Sequence, residues 1–402
     1  MELVAAMKII RILFSAFILN GLGALIGLVK MGVVAHAVDF SELSSYFIYL
    51  AIWGWFATNG ESVRQAMRQR NIATSWSLGF QSIATEWKLL SLFSIIIYLV
   101  SLTDFFGKRL NATDLFITLI CGWFFVFTST YTGLLESNGR IETSNWASLS
   151  VSIFTLPVFF LMARTLNFSQ ILFSYFCLNL MNGLVHSMIL LKISPKHSNK
   201  EFTKKNDKEL YVYKKIVLLE SLPRVAVPLM LAHISLDNQL SVYTVLSRIF
   251  VIYAIYAVSI NPMVSLNDRY FSTATVEKML RIIGPVVFLI STTFIFIFSD
   301  SLVRLVGATS VQVDNNELLA FTFLGAVSII AQPFISSFSS GVSLTARLKS
   351  VLISTCASFV FIPFLVTYWG CKGGFLSLAV HQSLYFLILK LYVPRKFSKF
   401  SN

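Results

Sequence analysis

Charged residues are scarce in this chain, and acidic residues especially so. Only 13% of the 402 residues are charged and 19 are acidic, whereas soluble domains contain about 25% charged residues. Hydrophobic types make up 56% of the chain, including 37 phenylalanines. A chain this apolar cannot cover itself with a polar surface. A soluble globular protein is therefore excluded, and a polytopic membrane protein is predicted.

Cysteine pairs and catalytic motifs are also missing. The four cysteines are scattered in apolar segments without a CxxC pair, so they are interpreted as small buried side chains rather than metal ligands. No Walker A, HExxH or GxSxG motif occurs. The glycine-rich "GLGALIG" at 21–27 lies inside an apolar run with no preceding strand, which favours helix packing over phosphate binding. A non-enzyme without cofactor or metal is predicted. A membrane glycosyltransferase or polymerase is the best enzymatic alternative.

Twelve apolar segments are long enough to cross the hydrocarbon core, which needs about 20 residues. They lie near 12–35, 43–63, 87–103, 113–135, 145–163, 169–191, 215–236, 242–264, 282–300, 317–340, 349–369 and 373–392. The first is too long for a cleavable signal peptide. The sequence thus predicts an all-α fold of about twelve transmembrane helices.

The basic residues are distributed unequally between the two sides of this topology. Twenty-four lysines and arginines fall on the side that holds both termini, and five fall on the other. The positive-inside rule makes the first side cytoplasmic. Most of the net charge of +13 is therefore a topology signal, which disfavours a nucleic-acid partner. We expect a multi-pass membrane protein with cytoplasmic termini.

The chain divides into two halves that echo each other. The lysine-rich stretch 192–214 is predicted to be a cytoplasmic linker between a six-helix lobe at 1–191 and another at 215–392, with a cytoplasmic tail at 393–402. Three matches support a duplicated unit. "DFSELSSYF" matches "DNQLSVYTV" at an offset of 198, Arg140 matches Arg347 at 207, and Pro157 matches Pro363 at 206. Six spans restore orientation, so the repeat is parallel, an arrangement found in transporters with a site between the halves.

Short motifs along nearly the whole chain carry a family resemblance. They are "LLESNGRIETSN" after span four, Pro228 in span seven, "VYTVLSRI" in span eight, "DSLVRLVGA" after span nine and "YWGCKGGFLSLAV" entering span twelve. In their order and spacing the chain resembles the oligosaccharidyl-lipid flippases of the multidrug/oligosaccharidyl-lipid/polysaccharide exporter superfamily, in particular O-antigen unit flippases. The resemblance implies a MATE-like pair of six-helix lobes, V-shaped around a central cavity. One departure is Arg224, where the family usually has an uncharged face.

Charged residues inside the predicted spans are candidates for a binding site. Arg224 lies ~14 Å into the bilayer when counted from Lys215 at ~1.5 Å per residue, and a lipid-facing arginine there would cost at least about 2.5 kcal/mol. Pro223 and Pro228 are expected to bend or break the same helix. All three features predict a face that points into the bundle. The alternative for Arg224 is a structural ion pair with Glu220, one turn away.

The resemblance assigns further basic residues to the same role. In the family, basic residues of spans one, two, seven and eight are thought to bind the pyrophosphate of the lipid-linked sugar, and Lys30, Arg64, Arg224 and Arg248 match by position. Lys30 and Arg248 have the alternative of snorkelling to the surface. Arg64 has the alternative of a topology charge at the cytoplasmic end of its span.

Acidic and aromatic residues provide two additional hypotheses. Glu61 and Glu220 are candidates for coupling to protons or sodium ions. Trp53 and Trp55 are candidates for stacking on sugar rings, with packing as the alternative. The predicted function is translocation of undecaprenyl-pyrophosphate-linked oligosaccharide across the inner membrane by alternating access, with a polysaccharide polymerase and a chain-length regulator as candidate partners beside membrane lipids. A multidrug or toxin cation antiporter of the same fold and a lipid II flippase are the alternatives.

Overall fold

The computed structural model describes residues 2–37, 40–68, 77–103, 105, 110–138, 140–165, 167–193, 204–234, 237–265, 273–307, 311–337 and 342–392. These ranges contain twelve α-helices and no strand. The first six are α1 (Glu2–Ala37), α2 (Phe40–Arg68), α3 (Ser77–Ser101), α4 (Ala112–Ser137), α5 (Ile141–Thr165) and α6 (Phe168–Ile193). The others are α7 (Lys204–His233), α8 (Asp237–Ile249), α9 (Val251–Ser265), α10 (Thr273–Gly307), α11 (Asn315–Ser337) and α12 (Val342–Tyr392).

The helices form twelve membrane crossings. Eight apolar helical stretches of the described chain are long enough to span a membrane, one of which joins α8 and α9. Another, Leu344–Tyr392, turns back at Gly370 and crosses twice. The shorter apolar stretches Trp87–Ser101 and Asn315–Ala331, together with α2, complete the set. The predicted all-α fold of about twelve transmembrane helices is confirmed.

The reversal inside α12 depends on a glycine in a left-handed conformation. Gly370 has φ +54°, a region that side chains with a Cβ rarely adopt. A Cβ there would lie 2.6 Å from Gln239 Oε1. That amide oxygen instead accepts a hydrogen bond of 2.8 Å from the Cys371 backbone N–H. The turn is thereby tied to the first turn of α8.

Two six-helix lobes are visible in the packing. In the N-terminal lobe, α4 lies between α2 and α6 while α1 packs on α5. In the C-terminal lobe, α12 packs on α7 and α11, and α11 packs on α9. The lobes meet along a seam in which α1 and α2 contact α7, α8, α9 and α10. Any substrate site between the halves must lie along this seam.

Helix α7 differs from the sequence prediction in two ways. It begins at Lys204, inside the predicted linker 192–214, and α6 runs to Ile193, so every described residue of that linker is helical. Residues 194–203 and the predicted tail 393–402 lie outside the described residues. The helix also runs unbroken through Pro223 and Pro228, so of the expected bend or break the break does not occur, and the bend stays a prediction.

The continuity of α7 has a visible cause. A proline lacks the N–H that would bond the carbonyl four residues earlier, so Pro223 leaves the Leu219 carbonyl without its usual donor. The Thr355 hydroxyl of α12 donates to that carbonyl at 3.0 Å. A neighbouring helix thus satisfies the freed group, as a membrane interior requires.

The seam is tight on the side opposite the termini. A Cβ on Gly32 of α1 would lie 1.9 Å from the Leu305 carbonyl oxygen of α10, so the two backbones touch there. Nearby, His233 and Phe105 stack at 4.1 Å between ring centroids, and His233 Nδ1 lies 2.9 Å from the Phe105 carbonyl oxygen. Farther along α1 toward the terminal side, Asn20 Nδ2 donates to Ser259 Oγ at 3.1 Å. The lobes are therefore held together at several points along their seam.

Candidate functional site

A cavity of about 280 Å³ lies in the seam between α2 of one lobe and α7, α8, α11 and α12 of the other. Most of its wall is apolar or aromatic. Its described lining consists of Phe47, Leu50, Ala51, Gly54, Arg224, Val225, Pro228, Tyr243, Thr244, Ser247, Arg248, Phe250, Leu324, Phe375, Leu378 and Gln382. An apolar wall with a few convergent polar groups is the usual form of a ligand site.

The charge of the cavity has one sign. Arg224 and Arg248 both line it, and none of the described lining residues is acidic. Neither guanidinium makes a hydrogen bond or ion pair with any part of the chain that the structure describes. Arg224 is exposed to the cavity and Arg248 is half-buried. Each arginine therefore keeps its fork of N–H donors available to a ligand.

Glu220 is not the partner of Arg224. Its Oε1 accepts hydrogen bonds from Arg347 Nη2 at 2.9 Å and from the Tyr385 hydroxyl at 2.7 Å. Arg347 is 3% exposed and also donates to the hydroxyls of Tyr385 and Tyr213. The alternative of a Glu220–Arg224 ion pair is wrong, because an arginine from α12 occupies the carboxylate. Arg224 is thereby left without an ion-pair partner among the described residues.

Uncharged polar groups complete the cavity. Tyr243, Thr244, Ser247 and Gln382 lie on its wall. Gln382 Oε1 accepts a hydrogen bond of 2.5 Å from the Ser328 hydroxyl. Pro228 has no N–H to offer the carbonyl of Arg224, so this carbonyl lacks its usual helical donor beside the cavity. The arrangement can hold an anion between two guanidinium groups while hydroxyls and amides contact its polar substituents.

Arg64 lies elsewhere, in a cluster inside the N-terminal lobe. Its Nε and Nη2 hold both oxygens of Glu136, with Nε–Oε2 at 3.0 Å, and its Nη1 lies 3.2 Å from Glu61 Oε2. Glu136 is fully buried, whereas the Glu61 side chain is 39% exposed. Arg64 is therefore engaged by two carboxylates and is not on the described cavity wall. Its predicted role in pyrophosphate binding stays a prediction, as does the coupling role of Glu61 and Glu220.

Lys30 is also apart from the cavity. Its Nζ donates to Thr155 Oγ1 of α5 at 2.6 Å, and the Lys30 side chain is half-buried between the two helices. The lysine does not snorkel freely to the surface in this arrangement. An anion role for Lys30 would require an anion to reach it outside the arginine-lined cavity, and it stays a prediction.

Trp53 and Trp55 pack inside the N-terminal lobe. Trp53 is 7% exposed and stacks on Phe176 at 4.4 Å, and Trp55 is 1% exposed and stacks on Phe93 at 3.7 Å. Neither indole is on the described wall of the cavity. Both side chains therefore take part in helix packing, which is the alternative named above. Sugar stacking stays a prediction, and it would require this core to open.

Some site residues carried no signal in the sequence. Tyr243, Ser247 and Gln382 are uncharged residues in apolar segments, and such residues are common in helix packing. Arg347 falls between the predicted spans 317–340 and 349–369, which is typical of a topology charge, whereas it is buried where α12 packs on α7. The sequence does not distinguish a basic residue in a loop from one that is buried at the end of a span. In the described chain, no group of three or more His, Cys, Asp or Glu residues is arranged to hold a metal ion.

The comparison with solved structures shows the fold. No family model matches the chain, and no curated protein matches it in sequence. Solved structures do match over almost the full length. A mutant of the Vibrio cholerae MATE transporter VcmN has a TM-score of 0.66 at 13% identity, covering 98% of each chain. A MATE protein in complex with MaL6 has a TM-score of 0.65 at 15% identity, covering 97% of this chain and 96% of that one.

A third structure adds a functional description of its own protein. It is the outward-facing conformation of a multidrug resistance MATE family transporter of the MOP superfamily, with a TM-score of 0.63 at 12% identity. It covers 98% of this chain and 96% of that chain. Identities this low establish architecture and not substrate. The chain is a multi-pass membrane protein with the two-lobed fold of the MATE transporters.

Proposed function

We propose that this protein is an alternating-access transporter for an anionic amphipathic substrate. One observation carries the proposal: Arg224 and Arg248 line the cavity between the lobes, and no acidic residue lies on its described wall. A guanidinium in a low-dielectric site without a partner is costly. A ligand that supplies a phosphate would compensate both arginines at once, because the guanidinium fork matches the geometry of phosphate oxygens.

The substrate proposed in particular is an undecaprenyl-pyrophosphate-linked oligosaccharide, as the family resemblance implies. The pyrophosphate would sit between the two arginines and the lipid tail would stay in the bilayer. A cavity of about 280 Å³ accommodates the charged group but not a complete oligosaccharide. The sugars would therefore extend beyond it along the seam. Rocking of one lobe against the other would move the headgroup across the inner membrane, with the termini in the cytoplasm.

A multidrug antiporter is the second candidate. The similar solved structures include a multidrug resistance transporter, so the comparisons support drug export better than they support flipping of a sugar lipid. A carrier of organic cations needs an apolar or acidic cavity, because like charges repel the substrate. The cavity arginines favour an anion, and this is the reason that we place the anionic substrate first. A lipid II flippase would use the same chemistry as the O-antigen flippase.

Deletion of the gene tests these candidates. Lipid-linked saccharides would be extracted and surface polysaccharide stained in parallel, with wild-type, Arg224→Ala and Arg304→Ala copies restored. Arg304 is an exposed arginine of α10 away from the cavity, so it is a matched control. Loss of surface polymer, with single units retained on the inner-leaflet carrier, is expected in the deletion and in Arg224→Ala only.

Other outcomes would separate the alternatives. Normal surface polymer with altered drug sensitivity would reject the flippase and establish the exporter. Failure to obtain a viable deletion, with accumulation of the peptidoglycan precursor on depletion, would identify lipid II as the substrate. If the flippase is otherwise confirmed, full function of Arg224→Ala would show that the anion does not bind at Arg224 in this cavity.

A further inference from the structure

A second cavity, of about 240 Å³, lies between α1 and α5 of one lobe and α9 of the other. Its wall contains no charged residue among those described. The lining consists of Leu19, Asn20, Gly23, Ala24, Asn145, Ser148, Leu149, Ser152, Val251 and Ile255. Two amides and two hydroxyls thus face a space whose other walls are small or aliphatic. We refer to it as the amide groove.

The polar groups of the amide groove have hydrogen-bonding capacity left over. Asn145 is 8% exposed, and its side chain makes no hydrogen bond with the residues that the structure describes. The Asn145 amide is therefore available to a ligand or to ordered water in the groove. Asn20 donates to Ser259 but keeps its amide oxygen as an acceptor.

The two serines of the groove differ from many helical hydroxyls of the described chain. Helical hydroxyls in the membrane commonly bond back to a carbonyl three or four residues earlier, and Thr118, Ser129 and Ser350 do so here. The Ser148 and Ser152 hydroxyls make no such bond within the described chain. Asn145, Ser148 and Ser152 lie on one face of α5 at helical spacing. That face is thereby equipped with donors and acceptors that the protein does not use.

The amide groove adjoins the arginine-lined cavity. Phe250 lines the arginine-lined cavity and the next residue, Val251, lines the groove. Successive Cα atoms are about 3.8 Å apart, and the backbone of a helix with its side chains is about 10 Å across. The two cavities therefore flank the junction of α8 and α9 within the reach of one ligand.

From this geometry we propose that the amide groove is a sugar subsite, which binds uncharged hydroxyl-bearing rings of the substrate. Sugar hydroxyls both donate and accept, and so do amides and serine hydroxyls. The absence of charge on the described wall suits a neutral sugar and disfavours a second phosphate. The inference rests on the proposed function, since the arginine-lined cavity would hold the pyrophosphate to which the sugar is attached.

Binding of two probes to the purified full chain in lipid nanodiscs would test the proposal. One probe is farnesyl pyrophosphate, and the other is the same lipid pyrophosphate carrying N-acetylglucosamine. We expect wild-type protein to bind the sugar-bearing probe about tenfold more tightly, a gain equivalent to one or two hydrogen bonds. Asn145→Leu, which is close in volume, should abolish this gain and leave the affinity for farnesyl pyrophosphate unchanged.

Control variants make the result specific to the groove. Ser150→Leu changes an exposed residue of the same helix and should leave both affinities unchanged. Arg224→Gln should lower the affinity for both probes by the same factor. Should Asn145→Leu fold poorly, Ser148→Ala combined with Ser152→Ala removes two hydroxyls without adding volume and should reduce the same gain.

The outcomes distinguish this inference from the proposed function. Equal affinities of wild-type protein for the two probes, or an unchanged gain in the groove variants, would overturn the sugar subsite while leaving the anion site in place. A groove that holds only water would give that result. Binding of both probes unaffected by Arg224→Gln would instead reject the anion site on which the inference rests.

Discussion

The membrane-spanning part of this chain contains arginines in two contrasting settings. Arg347 and Arg64 are clamped by carboxylates, Glu220 in one lobe and Glu136 in the other. Arg224 and Arg248 face the cavity between the lobes without an acidic residue on its described wall. Both groups lie in apolar helices, so sequence context alone does not separate them. What separates them is whether the guanidinium already has its partner.

The difference indicates how one protein can use arginine for two purposes. A clamped arginine neutralises a buried carboxylate and joins two helices, so it contributes to the lobe as a structure. An arginine without a partner contributes little to the stability of the fold, but its N–H donors are available to bind a ligand. Removing a clamped arginine should therefore change the stability of the protein, whereas removing a cavity arginine should change binding.

Arg347→Met should give the largest loss of stability. The substitution leaves the Glu220 carboxylate without its cation and removes two hydrogen bonds to tyrosine hydroxyls. Breaking a buried ion pair costs about 3–5 kcal/mol. Unfolding of the purified protein in micelles by heat or denaturant would measure it. The double variant with Glu220→Leu should recover much of the loss, and equal instability of single and double variants would contradict the clamp.

Arg64→Met should cost less, about 2 kcal/mol, since the Arg64 side chain is still 23% exposed and water can partly replace it. The loss arises because Glu136, which is fully buried, would lose the guanidinium that compensates its carboxylate. The same unfolding experiment measures it. Arg64→Lys is the matched variant, and it should restore only part of the loss because an ammonium cannot bind both carboxylate oxygens in the same geometry. Full restoration by lysine would show that only the charge matters.

An exposed ion pair beside the reversal of α12 extends the comparison to the surface. Lys372 Nζ lies 2.9 Å from Asp314 Oδ2, in the segment before α11. Partial burial raises the pKa of the Asp314 carboxyl, but hydrogen bonds from Lys372 and from the Glu317 backbone N–H outweigh it. The pKa of Asp314 therefore lies below its ordinary value of 3.8.

Lys372→Met should consequently have a small effect that depends on pH. A carboxyl with a lowered folded-state pKa contributes stability above its ordinary pKa, and this contribution is lost as the pH falls through the folded value. At pH 7 the unfolding midpoint of Lys372→Met should lie slightly below that of wild type. The gap should close as the pH falls below 3.8. A gap that persists in acid would mean that lost packing, and not the ion pair, causes the effect.

The sequence permitted the prediction of the crossings and of the two cavity arginines for related reasons. Hydropathy over about 20 residues reports membrane spans directly. A charge in the middle of such a span must face protein or water, so Arg224 was expected to point inward. Both inferences depend on the free-energy cost of placing a polar or charged group in lipid. They do not require knowledge of which helices are neighbours.

The contacts of Glu220 and Arg347 could not be predicted in the same way. Helical spacing suggested Arg224 as the partner of Glu220, but the two helices α7 and α12 bring Arg347 to that carboxylate. The internal echo that related Arg140 to Arg347 was of no help. Arg140 is exposed, whereas Arg347 is buried. Asn145 is not predictable as a site residue either, because a single uncharged amide in an apolar segment does not show whether it faces a cavity, another helix or lipid.

Arg224→Gln should have the smallest effect on stability of the four substitutions and a large effect on binding. Because Arg224 has no hydrogen bond or ion pair to lose within the described chain, its removal should change the free energy of unfolding by no more than about 0.5 kcal/mol. Affinity for farnesyl pyrophosphate should fall at least about tenfold, since a charge-assisted hydrogen bond contributes about 1.5–3 kcal/mol. Both quantities can be measured on one preparation in nanodiscs. A loss of stability comparable to that of Arg347→Met would place Arg224 among the clamped arginines, and the contrast between the two settings would no longer hold.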